Sequence, residues 1–383
     1  MELERETMIM EPYIPNRLPL QTIDWEMHVS FIGKANAALA RYDGILLGII
    51  NPQVLLSPLT TREAVLSSRI EGTQASLEDV LQYEADVGAL SEENGGKDTP
   101  EIRDIHEIIN YRKAMSAAVE GMKKHPLSIN TIRDLHRILL TGVRGRNKDP
   151  GEIRRIQNYI APPGTPIERA TFVPPTPPMI MDALSNWEEY LHSDERDALV
   201  QLAVLKAQFE LIHPFLDGNG RIGRMLVPLI LYHKKILSSP MFYISAYLER
   251  NSDVYYERLR AISNEGDWNG WISFFLKALV EQADENSRKA RAILALYNSM
   301  KQRVPEITHS KYSIKAIDAM FSKPIFNSNS FAVKSEIPMV SVKRMLRELK
   351  ECGILGVLRE GRGRQPATYV FSELIEIAER EEA

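Results

Sequence analysis

The chain has 383 residues, a formal net charge of −4 and 44% hydrophobic side chains, which suits two or three globular domains and points to neither nucleic acid nor a membrane for the protein as a whole. Its one cysteine, Cys352, excludes a disulfide framework and a cysteine-built zinc site and fits a reducing cytoplasm. The apolar runs, such as Leu226 to Leu231, are too short to span a bilayer, and residues 1–11, with four glutamates and no basic segment ahead of an apolar one, do not read as a signal peptide.

A loose, Pro-punctuated arm (Pro12, Pro15, Pro19) precedes a predicted helix from Asp24 to Tyr42 and a short apolar piece, Ile45 to Ile50, ending at Asn51-Pro52. Thr60 and Thr61 suit N-caps for a helix through Glu71, and Gly72 is its natural stop. Leu66 and Ile70 share its buried face, while Ser67 and Glu71 share another. Taken alone, that stretch is a solvated helix end. Ser76 with Asp79 three residues on predicts a capped start for the next helix. Residues 88–100, with Gly95-Gly96, read as an exposed loop. Helices are predicted at 101–121 and 128–141. His106, His125 and His136 have no partners at ligand spacing and read as structural or solvated.

Seven prolines between 162 and 178 exclude a long helix or a central strand there. Arg154 to Ala161 is more strand-like and predicts a hairpin with Thr171 to Val173. A connection this long inside a compact domain is usually functional or disordered.

The chain is organised around residues 213–224, His-Pro-Phe-Leu-Asp-Gly-Asn-Gly-Arg-Ile-Gly-Arg. Leu202, Leu205, Phe209 and Ile212 place one buried face on the helix before it, and Pro214 ends that helix at His213. Gly218-Asn219-Gly220 supplies a loop whose amides can turn the same way, at the start of a second helix carrying Met225 to Tyr232. Arg221 and Arg224, three residues apart, leave that helix from one face and suit phosphates. His213 is a base candidate and Asp217 a metal-carboxylate candidate. A bare helix-loop-helix joint gives no reason for these groups to converge on one turn.

The stretch resembles the signature of the Fic family, His-x-Phe-x-Asp/Glu-Gly-Asn-Gly-Arg-x-x-Arg, at every fixed position. The resemblance implies a mainly α fold, a Fic helical core with a β-hairpin flap, that transfers AMP from ATP to a Ser, Thr or Tyr hydroxyl of a protein. His213 would be the base and Asp217 the Mg²⁺ ligand. Gly218, Asn219, Gly220, Arg221, Gly223 and Arg224 would hold the phosphates. By the same resemblance Ser67 to Gly72 matches the family's inhibitory motif, so that Glu71, with Ser67 on its helix, would pair with Arg224 and block productive γ-phosphate binding. Asn158, Tyr159, Ile160 and Ala161 fall where the family's flap lays an extended edge beside its target; strand addition needs only backbone groups. Tyr255-Tyr256 and Asn264 to Asp267 resemble the region that holds adenine, which makes Tyr256 and Asn264 nucleoside candidates. Trp268, Trp271, Phe274 and Phe275 read as core.

A long polar helix at about 277–302 and a linker at Pro305 to Ser310 lead to residues 311–371, a predicted small separate domain. Helices near Ser313 to Phe321, Ser330 to Ser335 and Ser341 to Cys352, then Leu355 to Tyr369 broken by glycines 361 and 363, resemble a winged helix-turn-helix. Lysines and arginines exceed acids by about six in this segment, so DNA phosphates, protein docking and a homodimer contact all suit it. The domain scheme is therefore 1–100 with the inhibitory helix at about 61–72, a catalytic core at 101–300, and 311–383. Two other functions compete with a self-restrained adenylyltransferase whose target is unknown, with the chain itself among the candidates. One is a nucleotide-sensing transcription regulator, which has no use for the base at His213. The other is transfer from a different nucleotide donor. Gly220 departs from the kinase-like branch of the family, which has Lys there.

Overall fold

The computed structural model describes residues 11–87, 99–143, 145–162, 164–363 and 365–380; the Gly95-Gly96 pair and most of the expected 88–100 loop lie outside them. In chain order the elements are α1 (Trp25–Leu47), α2 (Pro52–Leu55), α3 (Ser57–Ile70), α4 (Leu77–Val87), α5 (Pro100–Met122), α6 (Ile129–Leu139), a 3-10 turn at Ile167–Arg169, α7 (Pro177–His192), α8 (Ala198–Ile212), α9 (Asn219–His233), α10 (Ser245–Arg250), α11 (Ser252–Glu265) and α12 (Trp268–Thr308). The remainder alternates: α13 (Ser313–Ser322), β1 (Ile325–Asn327), α14 (Ser328–Ser335), α15 (Met339–Glu351), β2 (Gly356–Arg359), β3 (Thr368–Val370) and α16 (Ser372–Glu379). They form two compact units, Met1–Ala40 with Lys113–Gln282, and Arg41–Arg112 with Ala283–Ala383. Among the described residues no helix is long and apolar enough to cross a membrane.

The first unit is built around α8. Asp197 caps it, accepting from the amides of Leu199 and Val200 at 2.8 and 3.0 Å. Every residue from Leu199 to Ile212 is buried, because α7, α9 and α11 all pack on it. The single buried face expected from its spacing is thus one side of a helix buried all round. Trp187 and Trp271 bring apolar bulk to the same place and satisfy their indole N–H groups on the α8 carbonyls of Leu205 and Ala203, at 2.8 and 2.7 Å. The proline-rich arm is docked rather than loose. Asn186 exchanges two hydrogen bonds with the Leu18 backbone, and Gln208 donates to the Asn16 carbonyl.

In the second unit α3 packs on α2, α4, α13 and α16, and α4 packs on β1. The three strands are antiparallel in the order β1-β3-β2. Asn327 donates to the Ala85 carbonyl at 2.6 Å, and Arg359 forks onto Asp86 at 2.6 and 3.0 Å. The segment from α13 onward is therefore joined to α3 and α4 by apolar and polar contacts. Strand β1 and helix α16 lie beyond the elements expected from sequence.

Three boundaries moved, each for a physical reason. Helix α1 continues to Leu47, because Ala35, Ala38, Leu39, Tyr42 and Leu46 keep one buried stripe in 3.6-residue period. Helix α3 starts at Ser57 with Pro58 in its first turn, so Thr60 and Thr61 are interior residues whose hydroxyls donate back to the Leu56 and Ser57 carbonyls. Helix α12 runs through Pro305 to Thr308, where a linker was expected, because Met300, Val304 and Thr308 extend its buried stripe and a proline in the last turns already has helical φ. The capping box at Ser76 and Asp79 and the stop at Gly72 (φ 93°) are as expected.

Candidate functional site

His213 ends α8 in the left-handed region (φ 50°, ψ 60°), its N–H bonded to the Phe209 carbonyl at 3.1 Å. Pro214 forbids further helix, and a histidine tolerates this conformation better than most residues. The ring Nδ1 lies 3.2 Å from the Glu210 carbonyl. A carbonyl only accepts, so Nδ1 carries a proton in this contact, and in the neutral ring Nε2 is then the nitrogen with the lone pair.

Two residues that the sequence did not single out hold the turn. Arg154 is buried, and its amide donates to Pro214 O and its Nε to His213 O, both at 2.9 Å. Its other nitrogens reach the carbonyls of Ile156 and Pro175 at 3.1 and 2.5 Å. Burial lowers its pKa to about 10, so it stays charged at neutral pH. His136 stacks on Phe215 with ring centroids 3.8 Å apart, accepts from the Gly151 amide at Nδ1 (2.7 Å) and donates from Nε2 to the Asp217 carbonyl (2.9 Å). Accepting at Nδ1 requires the neutral ring. Burial is the main reason its pKa falls to about 4, opposed by its hydrogen bond to Asp217. Of the three isolated histidines, His136 is structural, and its structure is the floor of the loop. His106 meets the Tyr83 hydroxyl at 2.7 Å, and His125 is exposed.

Gly218 is the left-handed N-cap of α9 (φ 79°), which turns the first amides of that helix, at Asn219 and Gly220, out of its N-terminal end. The Asn219 side chain is occupied: it accepts from the Phe215 amide at 2.9 Å and donates to the Phe215 carbonyl at 2.8 Å. Asn219 thus shapes the loop by its side chain and offers an anion only its backbone. Asp217 is one-third exposed and accepts from Arg221 at 3.1 Å. Its other oxygen lies against Gly145, where a Cβ would come within 2.8 Å. Arg221 and Arg224 are both 1% exposed. Gly223 has a packing role: a Cβ there would stand 2.8 Å from a carboxylate oxygen of Glu210. Among the described residues no cluster of three metal-ligating side chains exists. The single carboxylate of Asp217 fits Mg²⁺ shared with substrate phosphates, since that ion commonly takes one protein carboxylate and keeps its waters.

The expected hairpin is one antiparallel bridge, Ile160 to Phe172, with Ile160 N–H donating to Phe172 O at 2.9 Å and Thr171 N–H to Ile160 O at 2.8 Å. Asn158 donates to the Phe215 carbonyl at 3.1 Å, tying this edge to the loop. Tyr159 and Ile160 are exposed, and Ala161 is half-buried. On α11, Tyr256 is exposed with its ring 5.0 Å from that of Tyr255, and Asn264 is exposed near the helix end. In the second unit Ser67 is buried within α3, and Glu71 is its C-cap, with its amide bonded to the carbonyls of Arg69 and Ser68.

Fold and site together define a mainly helical protein in which the loop after α8 sets an imidazole beside a helix N-terminus and two buried arginines. The model of the Fic/DOC family N-terminal region matches residues 29–120, and that of the Fic/DOC family matches residues 126–231. Together they match more than half of the chain, which belongs to the Fic/DOC family. Protein adenylyltransferase Fic of Drosophila yakuba is 31% identical over 198 residues, 50% of this chain and 36% of that protein. Protein adenylyltransferase fic-1 of Caenorhabditis briggsae is 29% identical over 139 residues, 34% of this chain and 25% of that protein. The chain thus spans between a quarter and a little over a third of these relatives. A crystal structure of a Fic family protein from Desulfovibrio desulfuricans G20 shares the fold, with a TM-score of 0.56 at 17% identity over 94% of this chain and 98% of that one.

Proposed function

We propose that this chain is a protein adenylyltransferase that moves AMP from ATP to a Ser, Thr or Tyr hydroxyl of a protein, itself included. The observation that carries the reading is the fixed tautomer of His213, with Nδ1–H on the Glu210 carbonyl, at the mouth of a loop ending in a helix N-terminus. Nε2 takes the proton of the incoming hydroxyl as its oxygen attacks the α-phosphorus. The bond from that phosphorus to the bridging oxygen breaks, and pyrophosphate leaves. The α9 amides and the guanidinium groups of Arg221 and Arg224 hold the phosphate charge, so positioning and electrostatics supply most of the acceleration. Asp217 would hold Mg²⁺, which when bound neutralises charge between the phosphates. Tyr256 and Asn264 would meet the nucleoside, and Tyr159 to Ala161 the target backbone.

Restraint by Glu71 belongs to the same reading. A carboxylate at the C-cap of α3, followed by Gly72, competes with the γ-phosphate for Arg224. DNA contact by the C-terminal segment is the weaker companion, because Arg344 and Arg347 on α15 already face Glu348 and Glu351 at 3.6 and 3.9 Å.

The test is intact-mass analysis of the protein and of a lysate after incubation with ATP and Mg²⁺. An AMP-sized adduct is the expected result. ATP binding without an adduct, or an adduct of different mass from another donor, would overturn the reading.

A further inference from the structure

Helix α8 is almost wholly apolar, yet it buries two charges. Lys206 is fully buried and Glu210 is 9% exposed. The Lys206 ammonium donates to one carboxylate oxygen of Glu210, and Tyr255 of α11 donates its hydroxyl to the other at 2.5 Å. Lys206 also reaches the Tyr255 oxygen at 3.0 Å and lies 5.1 Å from that ring's centre. Tyr255 is held in its neutral form, first by burial and then by the charge of Glu210, with Arg224 near enough to oppose the effect.

Such a cluster is poor evidence of stabilisation. Desolvating two charges offsets most of their attraction, and apolar replacements of similar volume are often as stable or more so. Its location suggests another use. Glu210 is three residues before His213, and its carbonyl holds the His213 ring. Its carboxylate lies against Gly223 of α9, the residue before Arg224, so closely that a Cβ there would stand 2.8 Å from its oxygen. Tyr255 precedes Tyr256. One residue therefore touches the base through its backbone and the phosphate helix through its side chain, and its partner adjoins the nucleoside candidate.

We infer that Lys206, Glu210 and Tyr255 form a positioning triad that fixes the distance from His213 to the Arg224 turn of α9. The inference rests on the assignment of those two residues to base and phosphate binding. None of the three acts on the substrate itself. Misplacement of a base by about 1 Å costs as much as a hundredfold in rate.

The experiment compares wild type, Tyr255→Phe and the double variant Lys206→Met/Glu210→Gln, which removes both charges while keeping volume. Four quantities are read: melting temperature, ATP affinity by calorimetry, kcat and KM for AMP transfer, and the His213 resonance in ¹⁵N-histidine NMR. The expected result for the double variant is an unchanged or higher melting temperature, ATP affinity within a few-fold of wild type and an altered His213 resonance. Its kcat should fall roughly tenfold to a hundredfold, with KM for ATP little changed. Tyr255→Phe should show the same pattern, but weaker. A folded double variant with wild-type kcat and resonance would overturn the triad while leaving the adenylyltransferase reading intact. If wild type itself transfers nothing, that reading fails, and the triad is judged on the resonance alone: an identical signal in the folded double variant rejects it. Should the double variant not fold, Tyr255→Phe decides by the same criteria.

Discussion

The signature loop and the flap are tied together by Arg154 and Asn158, yet they are built on opposite terms. In the loop, the carbonyls of His213, Pro214, Phe215 and Asp217 and the amide of Phe215 each have a partner from outside the turn or from Asn219. Buried backbone groups left unsatisfied are costly, so this pattern of bonds allows the loop one shape. The flap has one bridge at Ile160, and Ile156, Tyr159 and Ile160 are 63%, 43% and 44% exposed. An extended edge with apolar side chains in water is a surface awaiting a strand. In the proposed reading, the chemistry is thus prebuilt, while target selection is left compliant.

The harshest break of that contrast is His213→Ala. The loop braces come from His136, Arg154 and Asn219, none of which needs the His213 ring, so the phosphate site should survive. General base catalysis is worth roughly 10² to 10⁴-fold, and transfer should fall by that much. Calorimetry with ATP should stay near wild type. Normal transfer by the variant would remove His213 from the mechanism, and lost ATP binding would show that the ring supports the loop.

In the proposed reading, a loop fixed in one shape is regulated by competition for its charges rather than by rearrangement. Glu71→Gly removes the proposed competitor. A charge-assisted hydrogen bond is worth roughly 1.5–3 kcal/mol, so initial rates at limiting ATP should rise roughly tenfold to a hundredfold. Arg224→Ala should be inactive whichever residue stands at 71. A folded, ATP-binding Glu71→Gly protein no faster than wild type would reduce α3 to scaffold.

The rigidity of the loop can also be titrated. His136 joins Gly151 to the loop only as a neutral ring, because Nδ1 must keep its lone pair for the Gly151 amide, and its pKa falls from 6.5 to about 4 on folding. A base with a depressed folded pKa binds fewer protons folded than unfolded. Its contribution is therefore complete above pH 6.5 and is lost as pH falls toward 4, by on the order of 3 kcal/mol. His136→Gln should be less stable at pH 7 but flatter between pH 7 and 4.5 in melting temperature. Parallel curves would mean that other groups set the acid limit.

How much of this was legible in the sequence follows from the range of each interaction. The signature, its helix end and the caps at Ser76 and Gly72 depend on neighbours a few residues away, and spacing reveals them. His136, 81 residues from the carbonyl it holds, and Arg154, 59 residues from His213, reveal nothing by spacing. Lys206 and Glu210 carry a signal of their own in the sequence: two charges four residues apart within a largely apolar helix. Asn219 and Gly223 lie inside the signature, whose pattern gives no sign that the Asn219 side chain braces Phe215 or that Gly223 packs against Glu210. The linker expected at Pro305 is helix instead, since turn signals there say nothing about the buried stripe that carries α12 past it.

The smallest effect expected tests the compliant side of the contrast. Ile160 directs its N–H and C=O toward Phe172, so the alternation of a strand turns the backbone of Tyr159 and Ala161 the other way. A target segment added on that edge would accept from the Ala161 amide. Ala161→Pro deletes that donor, keeps an extended backbone beside the proline at 162, and leaves the Ile160 bridge its own amide. One such hydrogen bond is worth about 0.5–1.5 kcal/mol, so KM for the protein target should rise roughly threefold to tenfold. ATP affinity and ATP hydrolysis without target should stay at wild-type values, because no loop brace passes through residue 161. Tyr159→Ala, which trims an exposed ring and spares the backbone, should act less. A change in ATP affinity would show that flap and loop are one rigid piece, and no change in target KM would mean the target approaches elsewhere.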